Sequence, residues 1–191
     1  SNATSGNPSI AASGIGTPSR IIGLTGNLSF GSIGVNATAN RTLFIKNTGT
    51  GILTVNSLSY PTGFSGNFSG AINPNATQNV TVSFRPATAG NFTGNITVNS
   101  TATSGNATIA ISGTAMALPV ITTANLHGTK GLSFSQRILA TNNATTFGNA
   151  TALPIGLTLN RTTGVISGTM PTGPLTFFSV NITATTAFGT T

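Results

Sequence analysis

Residues 79–99, NVTVSFRPATAGNFTGNITVN, decide how this chain folds. From Asn79 to Arg85 the side chains alternate: Val80, Val82 and Phe84 take one face, and Asn79, Thr81, Ser83 and Arg85 take the other. That two-residue period is the mark of a half-buried strand. Asn91 to Asn99 repeats it, with Phe92, Ile96 and Val98 inward and Asn91, Thr93, Asn95, Thr97 and Asn99 on the outer face. Working outward, Leu28 to Phe30, Thr42 to Lys46, Ile52 to Ser57 and Ala107 to Ser112 read as further strands. Short strands at this spacing predict a two-sheet sandwich.

The chain holds no Asp or Glu in 191 residues, whereas an average soluble domain draws about a quarter of its residues from the charged set. No carboxylate is therefore present to act as general acid or base, to orient a catalytic histidine, or to hold calcium or magnesium. With no Cys, and His127 the only imidazole, a zinc site and a thiol nucleophile are also excluded. The expectation is a protein that is not an enzyme and carries no cofactor and no metal. His127 lies in a polar stretch, Asn125 to Lys130, and reads as a solvated loop residue.

A length of 191, with 38% hydrophobic residues and 11 Phe, suits two small domains with real cores. The 24 Gly and 9 Pro are spread along the chain as punctuation between short strands, so the expected class is all-β. No apolar run approaches the roughly 18 residues of a membrane span, so direct membrane insertion is not expected, and no signal peptide precedes the first strand. Ser1-Asn2-Ala3 looks like a tag-cleavage scar, which implies a fragment of a longer protein. The lack of Cys fits a reduced compartment, or a bacterial surface protein that relies on its cores. The net charge of +7 comes from scattered side chains: Arg20, Arg41, Lys46, Arg85, Lys130, Arg137 and Arg161. They form no basic cluster, so nucleic acid is not an expected partner.

Asn7 to Gly14, NPSIAASG, recurs as Asn106 to Gly113, NATIAISG, an offset of 99 residues. The period is that of one Ig-sized unit and makes Ser9 to Gly14 the last strand of a preceding repeat. The expected division is a scar and repeat remnant over residues 1–18, one domain over 19–115 and a second over 116–191. Gly-Asn pairs recur at Gly26, Gly66, Gly90, Gly94, Gly105 and Gly148, and suit type II′ hairpin turns where strands flank them closely. Gly94-Asn95, inside a strand, reads as a bulge or a close-packing point.

The segment from Leu28 to Gly113 carries LSFG, KNTGTGILTV, VSFRPATAG and ISG in order. It resembles the choice-of-anchor repeats of bacterial surface proteins, which are similar to the ASH, or Hydin-type, Ig-like domains. From about Pro119 a second pattern begins: PVITTANLHGTKGLSFSQRILATNN, then LPIGLTLNRTTGVISGT over Leu153 to Thr169. This part resembles the cadherin-like Ig domains of bacterial secreted proteins. Apart from any family, Leu157 and Leu159 alternate inward, Asn160 to Gly164 makes a turn and Ile166 returns to the core. The second family usually has proline directly after the Gly-Thr, whereas here Met170 intervenes before Pro171. The two resemblances imply tandem immunoglobulin-like β-sandwiches without catalysis. Calcium binding between domains, known in cadherin-like relatives, needs acidic side chains and does not carry over. Interdomain stiffness would come from the linker Thr114 to Leu118 and apolar contact around Met116.

Fourteen Asn-x-Ser/Thr triplets run from Asn27 to Asn181. They are candidate glycosylation sites, and Asn91, Asn95 and Asn99 would present sugars along one face, about 13 Å apart at the rise of a strand. The simpler reading is a by-product of Asn- and Thr-rich composition, favoured because several triplets sit within strands. Phe44 points outward if Leu43 and Ile45 point in, and Phe177 opposes Phe178, Val180 and Ile182; exposed aromatics can anchor a partner or lie under a neighbouring domain.

The missing carboxylates would have titrated near pH 4 and tied stability to acidity. Their absence points to a very acidic exterior. The functional expectation is a non-catalytic spacer or adhesion module of a repetitive secreted or cell-surface bacterial protein. Its partners would be neighbouring Ig-like repeats and a protein or glycan surface ligand. The alternative is a carbohydrate-binding accessory module of a larger secreted protein, weakened by the absence of Trp and a single tyrosine, Tyr60, since sugars stack on such rings.

Overall fold

The computed structural model describes residues 13–174 and 177–191. All its regular elements are strands, in the order β1 Ile21–Thr25, β2 Ser29–Gly34, β3 Ala39–Asn47, β4 Leu53–Ser59, β5 Phe64–Ser65, β6 Gly70–Ile72, β7 Thr77–Phe84, β8 Gly90–Ser100, β9 Ser104–Gly105, β10 Thr108–Met116, β11 Ser133–Arg137, β12 Thr146–Asn149, β13 Leu157–Asn160, β14 Val165–Thr169, β15 Ile182–Thr186 and β16 Gly189–Thr190. The alternation that opens the sequence reading is realised in β7 and β8. Val80, Val82, Phe84, Ile96 and Val98 are buried, while Asn79, Thr81, Asn91, Asn95 and Asn99 are exposed.

The first domain is a sandwich of two five-stranded sheets, β5-β7-β3-β1-β9 and β2-β10-β8-β4-β6. Three of its four edges are blunted, because β5 and β9 are two residues long and β6 three. The core centres on Phe84, whose ring stacks on Phe64 at 4.6 Å, tilts against Phe30 at 5.6 Å and meets Phe92 edge-on at 5.5 Å. Gly113 is glycine because a Cβ there would sit 2.5 Å from the Phe84 ring. Asn47, fully buried at the end of β3, tethers the sheets: its Nδ2 donates to the carbonyls of Gly51 at 2.8 Å and of Ile72, in the opposite sheet, at 2.9 Å. Its Oδ1 accepts from the Gly49 N–H at 3.0 Å, so the buried amide is satisfied.

The second domain pairs two three-stranded sheets, β11-β14-β13 and β12-β15-β16, around Phe134, Ile138, Phe147, Ile166 and Ala184. Within Leu153 to Thr169 the turn forms as expected: Asn160 Oδ1 accepts the N–H groups of Thr162 and Thr163, and the Gly164 N–H returns to the Asn160 carbonyl. The structure is thus all-β with two Ig-like sandwiches in tandem.

Two local expectations are corrected, and the choice left open at Gly94 is decided. The Gly-Asn pairs are not hairpin turns. Gly26-Asn27 and Gly66-Asn67 lie between strands of opposite sheets, Gly105-Asn106 spans the end of β9 on the way to the opposite sheet, and Gly90-Asn91 and Gly148-Asn149 lie inside strands. A sandwich of this topology joins successive strands by crossing between sheets, and there Asn27 and Asn106 accept the N–H two residues on, turning the chain without a hairpin. Of the two readings of Gly94 the close-packing point holds: its register against Ile111 is continuous, so there is no bulge, and its missing side chain makes room for Pro61. The linker is shorter than Thr114 to Leu118, because β10 stays paired with β2 as far as Met116. Most of the proposed remnant strand, Ser9 to Ala12, lies outside the described residues, and Ser13 to Pro18 carry no strand.

Candidate functional site

The outer face of β8 presents Asn91, Thr93, Asn95, Thr97 and Asn99, flanked by Thr114, Ser112, Ala110 and Thr108 of β10 and by Ser57 and Ser59 of β4. These side chains are amides, hydroxyls and one methyl, without a charge among them. Thr114 Oγ1 donates to Asn91 Oδ1 at 3.0 Å, and Asn99 Nδ2 donates to Ser57 Oγ at 3.0 Å. The amide of Asn95 faces Ala110 across the ladder.

The aromatic candidates are separate. Phe44 stands on the outer face of β3, 37% exposed, in the first domain. Phe177, 89% exposed, is in the second, outside any strand. Phe178 is exposed as well, which corrects the expected opposition between the two: without a strand over 177–181, no alternation forces one ring inward.

The cations are dispersed. Arg41 lies over the Phe30 ring at 5.9 Å, Arg85 Nε donates to the Asn36 carbonyl at 3.5 Å, and Lys130 Nζ donates to the Pro174 carbonyl at 3.5 Å. His127 is exposed, and its backbone carbonyl accepts from Gln136 Nε2. An open depression of about 450 Å³ is lined by Gly26, Leu28, Ser29, Thr93, Gly94 and neighbouring residues. Another, of about 400 Å³, is lined by Ile22 and residues from Thr97 to Ala107. Neither lining holds a titratable side chain.

The two domains meet through backbone. A side chain on Gly34 would collide with the Phe188 carbonyl, and a Cβ on Gly189 would lie 2.6 Å from Leu118 Cδ2. On either side of the junction, the Val35 N–H donates to the Met116 carbonyl within the first domain, Asn142 Nδ2 donates to the Leu118 carbonyl at 2.6 Å on the side of the second, and Pro119 is fully buried. The apolar contact expected at Met116 falls on Leu118 instead, and Met116 remains 37% exposed.

Sequence reasoning missed Asn47, Gly34 and Tyr60. The signal at Asn47 was Asn-Thr-Gly-Thr-Gly at a strand end, a turn sequence that gives no hint of burial. Gly34 follows an apolar residue in a strand, where glycine marks a close approach but not by what. The Tyr60 hydroxyl is buried without a partner among the described residues, and loss of solvent raises its pKa above the usual 10.0.

Residues 21–114 match the family model HYDIN/CFA65/VesB-like, Ig-like domain, and residues 114–191 match the He_PIG model, "Putative Ig domain". No curated protein matches the chain. Among solved structures, the ASH/PapD-like domain 7 of human CEP192 aligns at 17% identity and TM-score 0.42 over 58% of this chain and 98% of its own. The CARDB domain of PF1109 from Pyrococcus furiosus aligns at 22% and 0.39 over 53% of this chain and 97% of its own. The titin fragment I67–I69 aligns at 10% and 0.39 over 93% of this chain and 64% of its own. Together the two models match residues 21–191 as Ig-like domains in tandem, which is what the two sandwiches of the fold are similar to.

Proposed function

We propose that this pair of domains is a non-catalytic spacer of a repetitive secreted or cell-surface bacterial protein, holding its neighbouring repeats apart in a very acidic exterior. Ig-like domains of this kind occur in structural and adhesion modules. The observation that carries the reading is the seam at Gly34, Phe188, Gly189 and Leu118, where the Phe188 carbonyl packs on the bare backbone of Gly34 and the Leu118 side chain lies against both glycines. A junction built from glycine and a buried proline has few rotamers to spend, so force passes from one core to the next with little slack. The surface suits acid because it owes nothing to carboxylates.

The test is ¹⁵N relaxation on the intact chain together with a glycan array. A spacer gives one rotational correlation time for both domains and no glycan bound at micromolar concentration. Two independent tumbling times would overturn the spacer. Specific micromolar binding of a sugar would favour the carbohydrate-binding module instead.

A further inference from the structure

We propose that this chain is N-glycosylated, with the loop asparagines Asn36, Asn75, Asn106 and Asn143 as acceptors and the outer face of β8 as a second set. The first support is frequency. From Asn27 onward, 14 of 19 asparagines begin an Asn-x-Ser/Thr triplet, whereas Ser and Thr fill about three positions in ten, so about six would do so by chance. Strand alternation alone can place Thr two residues after Asn on an outer face. The structure puts half of the triplets outside strands, where that argument has no force, including those at Asn36, Asn75, Asn106 and Asn143.

The second support is how the asparagines divide. The asparagines whose Nδ2 ties distant backbone stand outside the motif: Asn47 is fully buried with Nδ2 donating to two carbonyls, Asn142 holds the Leu118 carbonyl, and neither begins a triplet. Of the 14 in the motif, 13 are exposed. The exception is Asn149, half-buried, with Nδ2 donating to the Thr151 carbonyl at 2.9 Å. A sugar replaces one Nδ2 hydrogen and needs open space beyond it, so the fold permits it at the exposed positions, with Asn99 using its other Nδ2 hydrogen toward Ser57, and opposes it at half-buried Asn149.

The third support is geometry. At Asn106 both the N–H and the hydroxyl of Thr108 donate to Oδ1 at 3.0 Å. Two donors on the amide oxygen draw electron density from nitrogen and make its N–H easier to deprotonate, and they leave Nδ2 facing solvent. Transfer then proceeds from a lipid-linked sugar diphosphate held by a separate transferase. Nδ2 attacks the anomeric carbon, the bond from that carbon to the phosphate oxygen breaks with its electron pair leaving on the diphosphate, and one Nδ2 proton passes to a base of the transferase. One N-glycosidic bond forms and nothing is oxidised or reduced. Asn36, Asn75 and Asn143 sit at turns with φ of 63°, 61° and 52°, a conformation asparagine tolerates better than most residues, and each is followed by Ala-Thr.

The experiment is intact-mass and glycopeptide mass spectrometry on the protein made in its native host. The expected result is a mass above that of the polypeptide by several glycan increments, with Asn106 and the three turn asparagines occupied and Asn149 bare. Thr108→Ala loses one increment and Thr108→Ser keeps it, although both leave Asn106 in place. A native mass equal to the bare polypeptide overturns the proposal, as does sugar found only on Ser and Thr hydroxyls.

Discussion

The backbone carbonyl of Phe188, in the turn between β15 and β16, lies against Gly34 at the end of β2, where a side chain on Gly34 would stand. The contact crosses from one sandwich to the other, and what a side chain would meet first is backbone, with the Leu118 side chain beside it. Gly34→Val must therefore displace backbone on one side of the seam, a cost of about 1–3 kcal/mol by the measure of overpacked sites. Small-angle scattering and ¹⁵N relaxation on the variant should report domains that have uncoupled, while hydrogen exchange in the core around Phe84 stays unchanged. If the variant tumbles as the parent does, the seam is not what couples the domains.

Much of this architecture is legible in the chain, and the limit is physical. Alternation in β7 and β8 is readable because one face of each strand is wet, so the polar and apolar positions separate cleanly. The same holds for Leu157 to Ile166, where turn chemistry and alternation agree. The short edge strands β5, β6 and β9 escape, because two or three residues cannot display a period. The Gly-Asn pairs mislead, since glycine before asparagine looks the same whether the chain turns back on its neighbour or crosses to the other sheet. The seam at Gly34 is hidden for another reason: a missing side chain gives no information about which distant backbone fills its place. The outer face of β8 is readable as neutral and polar, but the sorting of its asparagines from the buried Asn47 needs coordinates.

Phe84 is fully buried and touches three other rings. Removing it leaves a void lined by Phe30, Phe64, Phe92 and the bare backbone of Gly113, and strands on both sheets limit collapse into it. Phe84→Ala should cost about 3–5 kcal/mol, read from the denaturant midpoint of the first domain. A loss below about 1 kcal/mol would mean that the ring cluster repacks and is not the centre of the core.

Asn47 is the position where the absence of acidic residues can be tested most directly. Its Nδ2 serves two carbonyls, so an ionised carboxylate there would face two acceptors in a buried site. Asn47→Asp should therefore destabilise the first domain by about 3–5 kcal/mol at neutral pH. The protonated acid keeps one donor and no charge. The folded state thus raises the Asp pKa above its unfolded value, and the variant regains stability as pH falls. Parallel unfolding at pH 3 and pH 7 should show a much smaller deficit in acid. A deficit equal at both values would contradict the two-donor account.

Tyr60 sets the alkaline limit while the missing carboxylates set the acid one. Between pH 2 and pH 7 no Asp or Glu takes up a proton, so unfolding in matched salt should change by less than about 2 kcal/mol. Burial raises the folded Tyr60 pKa above its usual 10.0. Below that value both states hold the proton and Tyr60 adds no slope. Above it the unfolded chain releases the proton while the folded one retains it, so stability falls as pH climbs. Tyr60→Phe removes the group without removing the ring, and its midpoint should decline less than that of the parent between pH 9 and pH 11. The two curves running parallel across that interval would show that the buried hydroxyl reaches solvent, and the unpartnered oxygen beside Gly66 would need another explanation.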